Sequence, residues 1–192
     1  SFMAGALVAA GALSACTPAK PSFKSFDLTG ADYALGFELT DQRGQRRSLA
    51  DVKGRVVMVF FGYTQCPDAC PTAMFQLAEL KRALGAKGEM VQGVFVTIDP
   101  ERDSAEMLKA YVENFDPSFV ALVPTMPELE AVITHYKVYS KKVAGPTPTS
   151  YTMDHLAGFY IYDLQGRLRL FSRPNMSTAD LQSDVASLLE GR

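Results

Sequence analysis

The sequence predicts an α/β fold with a mixed sheet, and three observations carry that prediction. The run Val56–Phe61 is continuously apolar, which suits a strand buried on both faces of a helix-covered sheet. Helical periodicity then alternates with further short apolar runs through the middle of the chain. Near the C-terminal end two apolar runs flank Leu164-Gln165-Gly166, the pattern of an antiparallel hairpin added to that sheet.

The elements follow in order. Residues 35–50 read as an N-terminal β-hairpin, because Leu35, Phe37 and Leu39 alternate and the turn Asp41-Gln42-Arg43-Gly44 follows. The basic residues from Arg43 to Arg47 fit a solvated hairpin tip. After the strand at 56–61, Pro71 suits the first position of a helix, where a missing N–H costs nothing. Met74, Leu77, Leu80 and Leu84 continue that helix, with Lys81 as a polar member of its apolar stripe, and Gly85 and Gly88 end it. Val91–Ile98 is a second buried strand. Asp103-Ser104-Ala105-Glu106 resembles a capping box, and Leu108, Tyr111, Val112 and Phe115 mark an amphipathic helix. Phe119–Val123 is a short strand, and Pro127 opens a helix carrying Leu129, Val132, Ile133 and Tyr136. Residues 137–153 are polar and rich in Gly, Pro and Thr, so they read as a long loop of the kind that is often functional. Strands at Phe159–Tyr162 and Leu168–Phe171 and a last helix capped by Ser177 complete the chain.

The 192 residues suffice for one sizeable domain plus a tail. The formal net charge is −2 and no basic face stands out, which argues against nucleic acid as a partner. Residues 2–15 are apolar or small and uncharged. That is short for a membrane span, which takes roughly 20 residues, but it suits the hydrophobic region of a signal peptide. It ends Leu13-Ser14-Ala15-Cys16, which resembles a bacterial lipobox, although no basic segment precedes it. The expected organisation is therefore a signal segment at 1–15, a lipidated linker at 16–34 starting from Cys16, and a folded domain at 35–192. Such a chain would sit outside the cytoplasm, anchored to a membrane on the periplasmic side.

The chemistry concentrates in Gly62-Tyr63-Thr64-Gln65-Cys66-Pro67-Asp68-Ala69-Cys70-Pro71, where the first buried strand hands over to a helix. Ligands gather at that edge in α/β folds, and a helix N-terminus favours thiolate over thiol. Cys66 and Cys70 can converge on one ion or close into a Cys66–Cys70 disulfide. A purely structural disulfide across so short a loop would remove little unfolded-state entropy. Of the two histidines, His135 reads as a helix-end residue, whereas His155 ends the long polar loop and is the candidate third ligand. Two Cys and one His form a soft set that suits Cu(I), or Cu(II) with an added oxygen ligand; zinc is the rival but usually wants four ligands in structural sites. Asp68, Asp99 and Asp154 are candidates for a fourth ligand or a supporting contact, against the plainer reading of turn and cap residues. The eight methionines show no clustering and read as core or helix-face residues.

Three stretches together resemble the Sco/SenC copper proteins of cytochrome oxidase assembly: Phe61 to Pro71, Thr97-Ile98-Asp99-Pro100-Glu101-Arg102-Asp103, and Met153-Asp154-His155. The resemblance spans roughly residues 35–190. It implies a thioredoxin-like mixed sheet flanked by helices, and copper, as Cu(I) or Cu(II), held by Cys66, Cys70 and His155. It also implies a supporting role for Asp99. Gln65 departs from the pattern, standing where many members have His. The implied function is delivery of copper to the binuclear copper A site of cytochrome c oxidase subunit II, a chaperone's task rather than an enzyme's. A thiol-disulfide reductase that maintains acceptor cysteines is the alternative, since one dithiol serves both. A peroxidase reading would need an arginine partner for the cysteine, and none lies nearby in sequence.

Overall fold

The computed structural model describes residues 22–147, 150–173 and 175–192. The α/β expectation holds. Six strands form the main sheet: β1 (Phe26–Asp27), β4 (Val56–Gly62), β5 (Val91–Thr97), β6 (Val120–Leu122), β9 (Phe159–Tyr162) and β10 (Leu168–Phe171), in the order β1-β10-β9-β4-β5-β6. β4 is the central element. It pairs parallel with β5 from Val56↔Val91 to Gly62↔Thr97, and antiparallel with β9 from Val57↔Tyr162 to Phe60↔Phe159. All seven of its residues are buried, as the unbroken apolar run requires.

Alternation along β4 sends successive side chains to opposite faces. On one face Phe60 stacks near Phe95, which meets Tyr111 of helix α2 (Ala105–Glu113). On the other, Phe61 meets Tyr136 of helix α3 (Met126–Tyr136) with ring centroids 4.9 Å apart. Helix α1 (Ala69–Ala83) packs against the C-terminal helix α4 (Thr178–Leu189). α1 begins two residues earlier than Pro71 predicts, so Pro71 stands third in the helix, still within the turn whose N–H groups lack helical partners. Lys81, the polar residue in the stripe of α1, is buried and satisfied: its Nζ donates to Ser118 Oγ at 2.5 Å and pairs with Asp116 at 3.3 Å.

The N-terminal hairpin, β2 (Glu38–Thr40) with β3 (Arg46–Ser48), is a separate two-stranded sheet. It lies along the β6 edge through an Asp41↔Leu122 bridge and a Val123 N–H to Thr40 carbonyl bond of 2.8 Å, covering an edge that would otherwise be open to another strand. Its arginines are tied down locally: Arg47 pairs with Asp41 at 2.8 Å and Arg46 with Glu128 at 2.6 Å, in keeping with a hairpin tip rather than a binding face.

Two expectations need correction. The stretch 22–34 belongs to the folded domain rather than to a linker. β1 pairs with β10, Ala34 is fully buried, and the Asp184 carboxylate accepts the backbone N–H groups of Lys24 and Ser25 at 2.8 Å each. The Pro and Ser residues that suggested a linker hide these backbone contacts, which leave no periodic signature. The second correction concerns 137–153. Most of this polar stretch forms a hairpin, β7 (Ser140–Ala144) paired antiparallel with β8 (Tyr151–His155). Its alternation is concealed because β7 is exposed along nearly all of its length, so only β8 has an inward face. Cys16 and the expected signal segment lie outside the described residues. No helix among those described is long and apolar enough to cross a membrane.

The Asp184 clasp can be tested directly. Asp184→Ala should lower unfolding stability by about 2 kcal/mol, the order expected when charge-assisted bonds to a buried carboxylate are lost. It should also speed amide exchange at Lys24 and Ser25, read by urea titration and hydrogen-exchange NMR; a freely moving linker would show neither effect.

Candidate metal centre

The site is assembled where β4 ends. A Cβ built on Gly62 would come within 2.8 Å of Cys70 Sγ and 2.9 Å of the Phe95 ring, so only glycine lets the sulfur lie against the strand. The chain then turns, with the Cys66 N–H bonded to the Tyr63 carbonyl at 3.2 Å. Asp103 fixes this turn from beneath. Its buried carboxylate accepts the Thr64 hydroxyl at 2.5 Å, the Thr64 N–H at 3.1 Å and the Thr97 hydroxyl at 2.6 Å. Cys70, the second residue of α1, is fully buried, and Cys66 is half-buried in the loop before it.

His155 arrives from a different direction, at the end of β8. Its Nε2 stands 3.5 Å from Cys70 Sγ. Its ring meets Phe60 and Tyr63 edge-on, with centroids 6.1 Å away in each case. Nδ1 lies 3.4 Å from the Leu156 carbonyl, so in the tautomer that donates there Nε2 can present its lone pair to an ion between the sulfurs. The ligand atoms of Cys66, Cys70 and His155 all lie within 4.8 Å of one another, and among the described residues no other group of metal-ligating side chains converges this way. The donor set is soft: two sulfurs and one imidazole.

The two thiols are electrostatically unequal. Cys66 is held down to about 3, chiefly by the hydrogen bond from the Cys70 thiol, with help from the His155 side chain and then from the backbone N–H groups of Asp68 and Cys70; the last lies 3.4 Å from its sulfur. These contacts at the start of α1 outweigh the burial that pushes the other way. The same shared hydrogen bond and deeper burial raise Cys70 well above an ordinary thiol. Cys66 is thus the sulfur that ionises, and Cys70 keeps its proton until a stronger partner displaces it. Both cysteines are free in this structure, and the S–H of Cys70 bonds to the Cys66 sulfur.

None of the three candidate carboxylates joins the ligand cluster. Asp154 faces away: on β8, Tyr151, Met153 and His155 turn inward while Thr152 and Asp154 are exposed. Strand alternation puts a neighbour of His155 on the opposite side. Asp68 is the residue preceding α1, and its carboxylate accepts the Thr72 hydroxyl at 3.2 Å without capping the helix's backbone N–H groups. Asp99 is buried, but its bonded partners are Arg102 and the Tyr151 hydroxyl at 2.8 Å. His135 is a helix-end residue whose Nε2 accepts the Leu35 N–H at 2.9 Å. Three residues escaped the sequence reading as parts of the site: Asp103, taken only as a cap signal, Tyr151, and Arg102. No arginine is near the cysteines in sequence, yet folding brings Arg102 to 3.3 Å from Gln65, beside Cys66.

Comparison with known proteins agrees with this geometry. The family model described as SCO1/SenC matches residues 27–190. The SCO2-like protein RP587 of Rickettsia prowazekii is 33% identical over 158 residues, covering 81% of this chain and 77% of its own. The structure of Bradyrhizobium japonicum ScoI with copper bound is 38% identical, covers 80% of this chain and 98% of its own, and superposes with a TM-score of 0.72. Yeast Sco1 with copper bound gives 27% identity, coverage of 90% and 91%, and a TM-score of 0.73. The shared architecture is the thioredoxin-like one that the resemblance implied.

The thiol asymmetry predicts a pH signature. A lowered value means thiolate persists as pH falls, so metal-free Cys66 should be alkylated by iodoacetamide at pH 5 nearly as fast as at pH 7. Cys70 should stay unmodified throughout. Peptide mapping by mass spectrometry reads both, and loss of Cys66 reactivity below pH 8 would contradict the assignment.

Proposed function

The chain belongs to the SCO1/SenC family, and from that premise we propose that it carries copper as cargo and hands it to a copper-acceptor site of cytochrome c oxidase. The acceptor we favour is the binuclear copper A site of subunit II. The observation that carries this reading is the convergence of Cys66, Cys70 and His155 within 4.8 Å, without a carboxylate in the cluster. Two sulfurs and an imidazole suit Cu(I), and Cu(II) with one more ligand, better than they suit a hard divalent cation. Three ligands leave room for an incoming ligand of the acceptor, so transfer can proceed by stepwise exchange of sulfur for sulfur.

Placement supports the same reading. An acceptor of this kind faces the extracytoplasmic side, and a lipid on Cys16 would hold the domain near it. Outside the cytoplasm the cysteine pair can oxidise to the disulfide, which would withdraw both sulfurs from copper and act as a gate.

The unequal thiols favour a second reading on their own account. An ionised Cys66 beside a protonated Cys70 is the arrangement of a dithiol reductant. The Cys66 thiolate would attack an acceptor disulfide to form a mixed disulfide and expel one acceptor thiolate. Cys70, as it loses its proton, would then displace the second. The chain ends as the Cys66–Cys70 disulfide, and a separate thiol donor must reduce it.

Copper titration of the reduced protein separates the two. One copper per chain with a thiolate–Cu(II) absorption band is expected, and His155→Ala should weaken Cu(II) retention by at least tenfold, the scale of one lost imidazole ligand. Under the reductase reading, His155→Ala changes little, and the metal-free dithiol turns over an acceptor disulfide.

A further inference from the structure

His155 sits on an element that cannot position itself. The β7–β8 hairpin shares no ladder with the main sheet, and β7 is exposed along nearly all of its length. A two-stranded hairpin alone is marginal in water, so its place against the cysteine loop must be set by tethers.

The densest of these tethers centres on Arg102, which belongs to neither element and touches both. Its Nη1 donates to the Tyr151 carbonyl at 3.0 Å and to Gln65 Oε1 at 3.3 Å. Tyr151 opens the strand that His155 closes, and Gln65 adjoins Cys66. The guanidinium carbon sits over the Tyr151 ring, 3.5 Å from its centroid, and lies 5.7 Å from the Tyr63 ring centroid. Asp99 anchors it from beneath: the buried carboxylate pairs with Arg102 Nε and accepts the Tyr151 hydroxyl at 2.8 Å. Lys142 of β7 covers the other side of Tyr151 at 3.8 Å and pairs with Glu101 at 3.0 Å. The Tyr63 side chain adds a contact to the Met153 backbone. Arg102 Nη2 is buried without a partner, a cost that is tolerated where the remaining contacts fix the group in place.

We propose that Arg102 is the positioning residue that holds the His155 hairpin closed on the cysteine loop, so that the Arg102–Tyr151 contact governs how long a soft metal keeps its imidazole ligand. The role needs arginine. A lysine could keep the charge near Asp99, but its single ammonium could not cover the ring while also reaching the Tyr151 carbonyl and Gln65 as the planar fork does. Release of the metal would then begin with separation of Tyr151 from Arg102, which frees the nitrogen ligand while both sulfurs stay on the rigid body. Gln65, where the chain departs from its family's pattern, serves in this arrangement as an acceptor for the guanidinium.

The inference has a part that rests on the copper reading and a part that does not. In the metal-free protein, Arg102→Gln and Arg102→Lys should speed amide exchange across Ser140–His155 while leaving β4 and β5 unchanged. Tyr151→Phe, which keeps the ring and removes the bond to Asp99, should do the same to a smaller degree and guards against a variant that fails to fold. Unchanged exchange in Arg102→Lys and Tyr151→Phe overturns the proposal. With Cu(II) bound, release to EDTA followed at the thiolate band should be roughly tenfold faster in Arg102→Lys, and the acceleration should vanish in the His155→Ala background, as for residues coupled in one network. Equal acceleration in both backgrounds would mean that Arg102 acts only on general stability and would overturn the positioning role. A protein that bound no copper would sink the chaperone reading and leave the exchange measurement to decide this one.

Discussion

The site depends on one constraint: β4 is buried on both faces and paired on both sides. A strand so enclosed cannot slip by one residue without turning its whole set of side chains to the wrong face. Its register therefore fixes its two neighbours. Gly62 lies opposite Thr97, so the segment after β5, with Asp99, Arg102 and Asp103, comes out beside the cysteine loop. Phe60 lies opposite Phe159, so the segment before β9, which carries His155, is delivered to the same end. Residues separated by 85 positions, Cys70 and His155, come within 3.5 Å because three adjacent strands share one edge.

Beneath that edge the polar groups are sparse and each is committed. The Asp103 carboxylate is 1% exposed and takes three hydrogen bonds, two of them from Thr64. A buried charge is costly unless it is bonded this fully. That cost makes the geometry of the turn before Cys66 hard to change: releasing Thr64 would leave the carboxylate short of donors. The same logic splits the two thiols. Two thiolates so close together would repel in a medium poor in water, so the stable arrangement puts the charge on Cys66, where backbone N–H groups meet it, and the proton on Cys70.

Most of the frame was legible in the sequence because it rests on apolar periodicity. Val56–Phe61, Val91–Ile98 and the stripes of the four helices each signal an element by its burial. The three converging side chains were legible for a different reason: the chain has only three cysteines and two histidines to choose from. What escaped the reading depends on backbone bonds and on contacts between distant segments. The clasp of Lys24 and Ser25 on Asp184 has no side-chain pattern at the N-terminal end. The β7–β8 hairpin is mostly solvated, with an inward face only on β8, and reads as a loop. Asp154 seemed a natural partner of His155 because it is adjacent in sequence, yet adjacency in a strand means opposite faces. Arg102 could not be assigned at all, since its role is created by the fold that brings Gln65 and Tyr151 to it.

The division of the ligands between two bodies bears on what the site is for. A structural ion is best held by ligands from one rigid frame, since any motion weakens the cage. Here Cys66 and Cys70 belong to the β4–α1 junction, packed on the core, while His155 rides on a hairpin outside the main sheet. Low local stability is drawn to elements that must move. An ion bound this way can lose one ligand without losing its hold on the protein, and the vacated position is open to an acceptor. If the hairpin were welded into the sheet, the affinity would rise and the exchange would slow. A half-independent arm, tied down by polar contacts around Tyr151, fits the proposed carrier better than it would fit a permanent copper site.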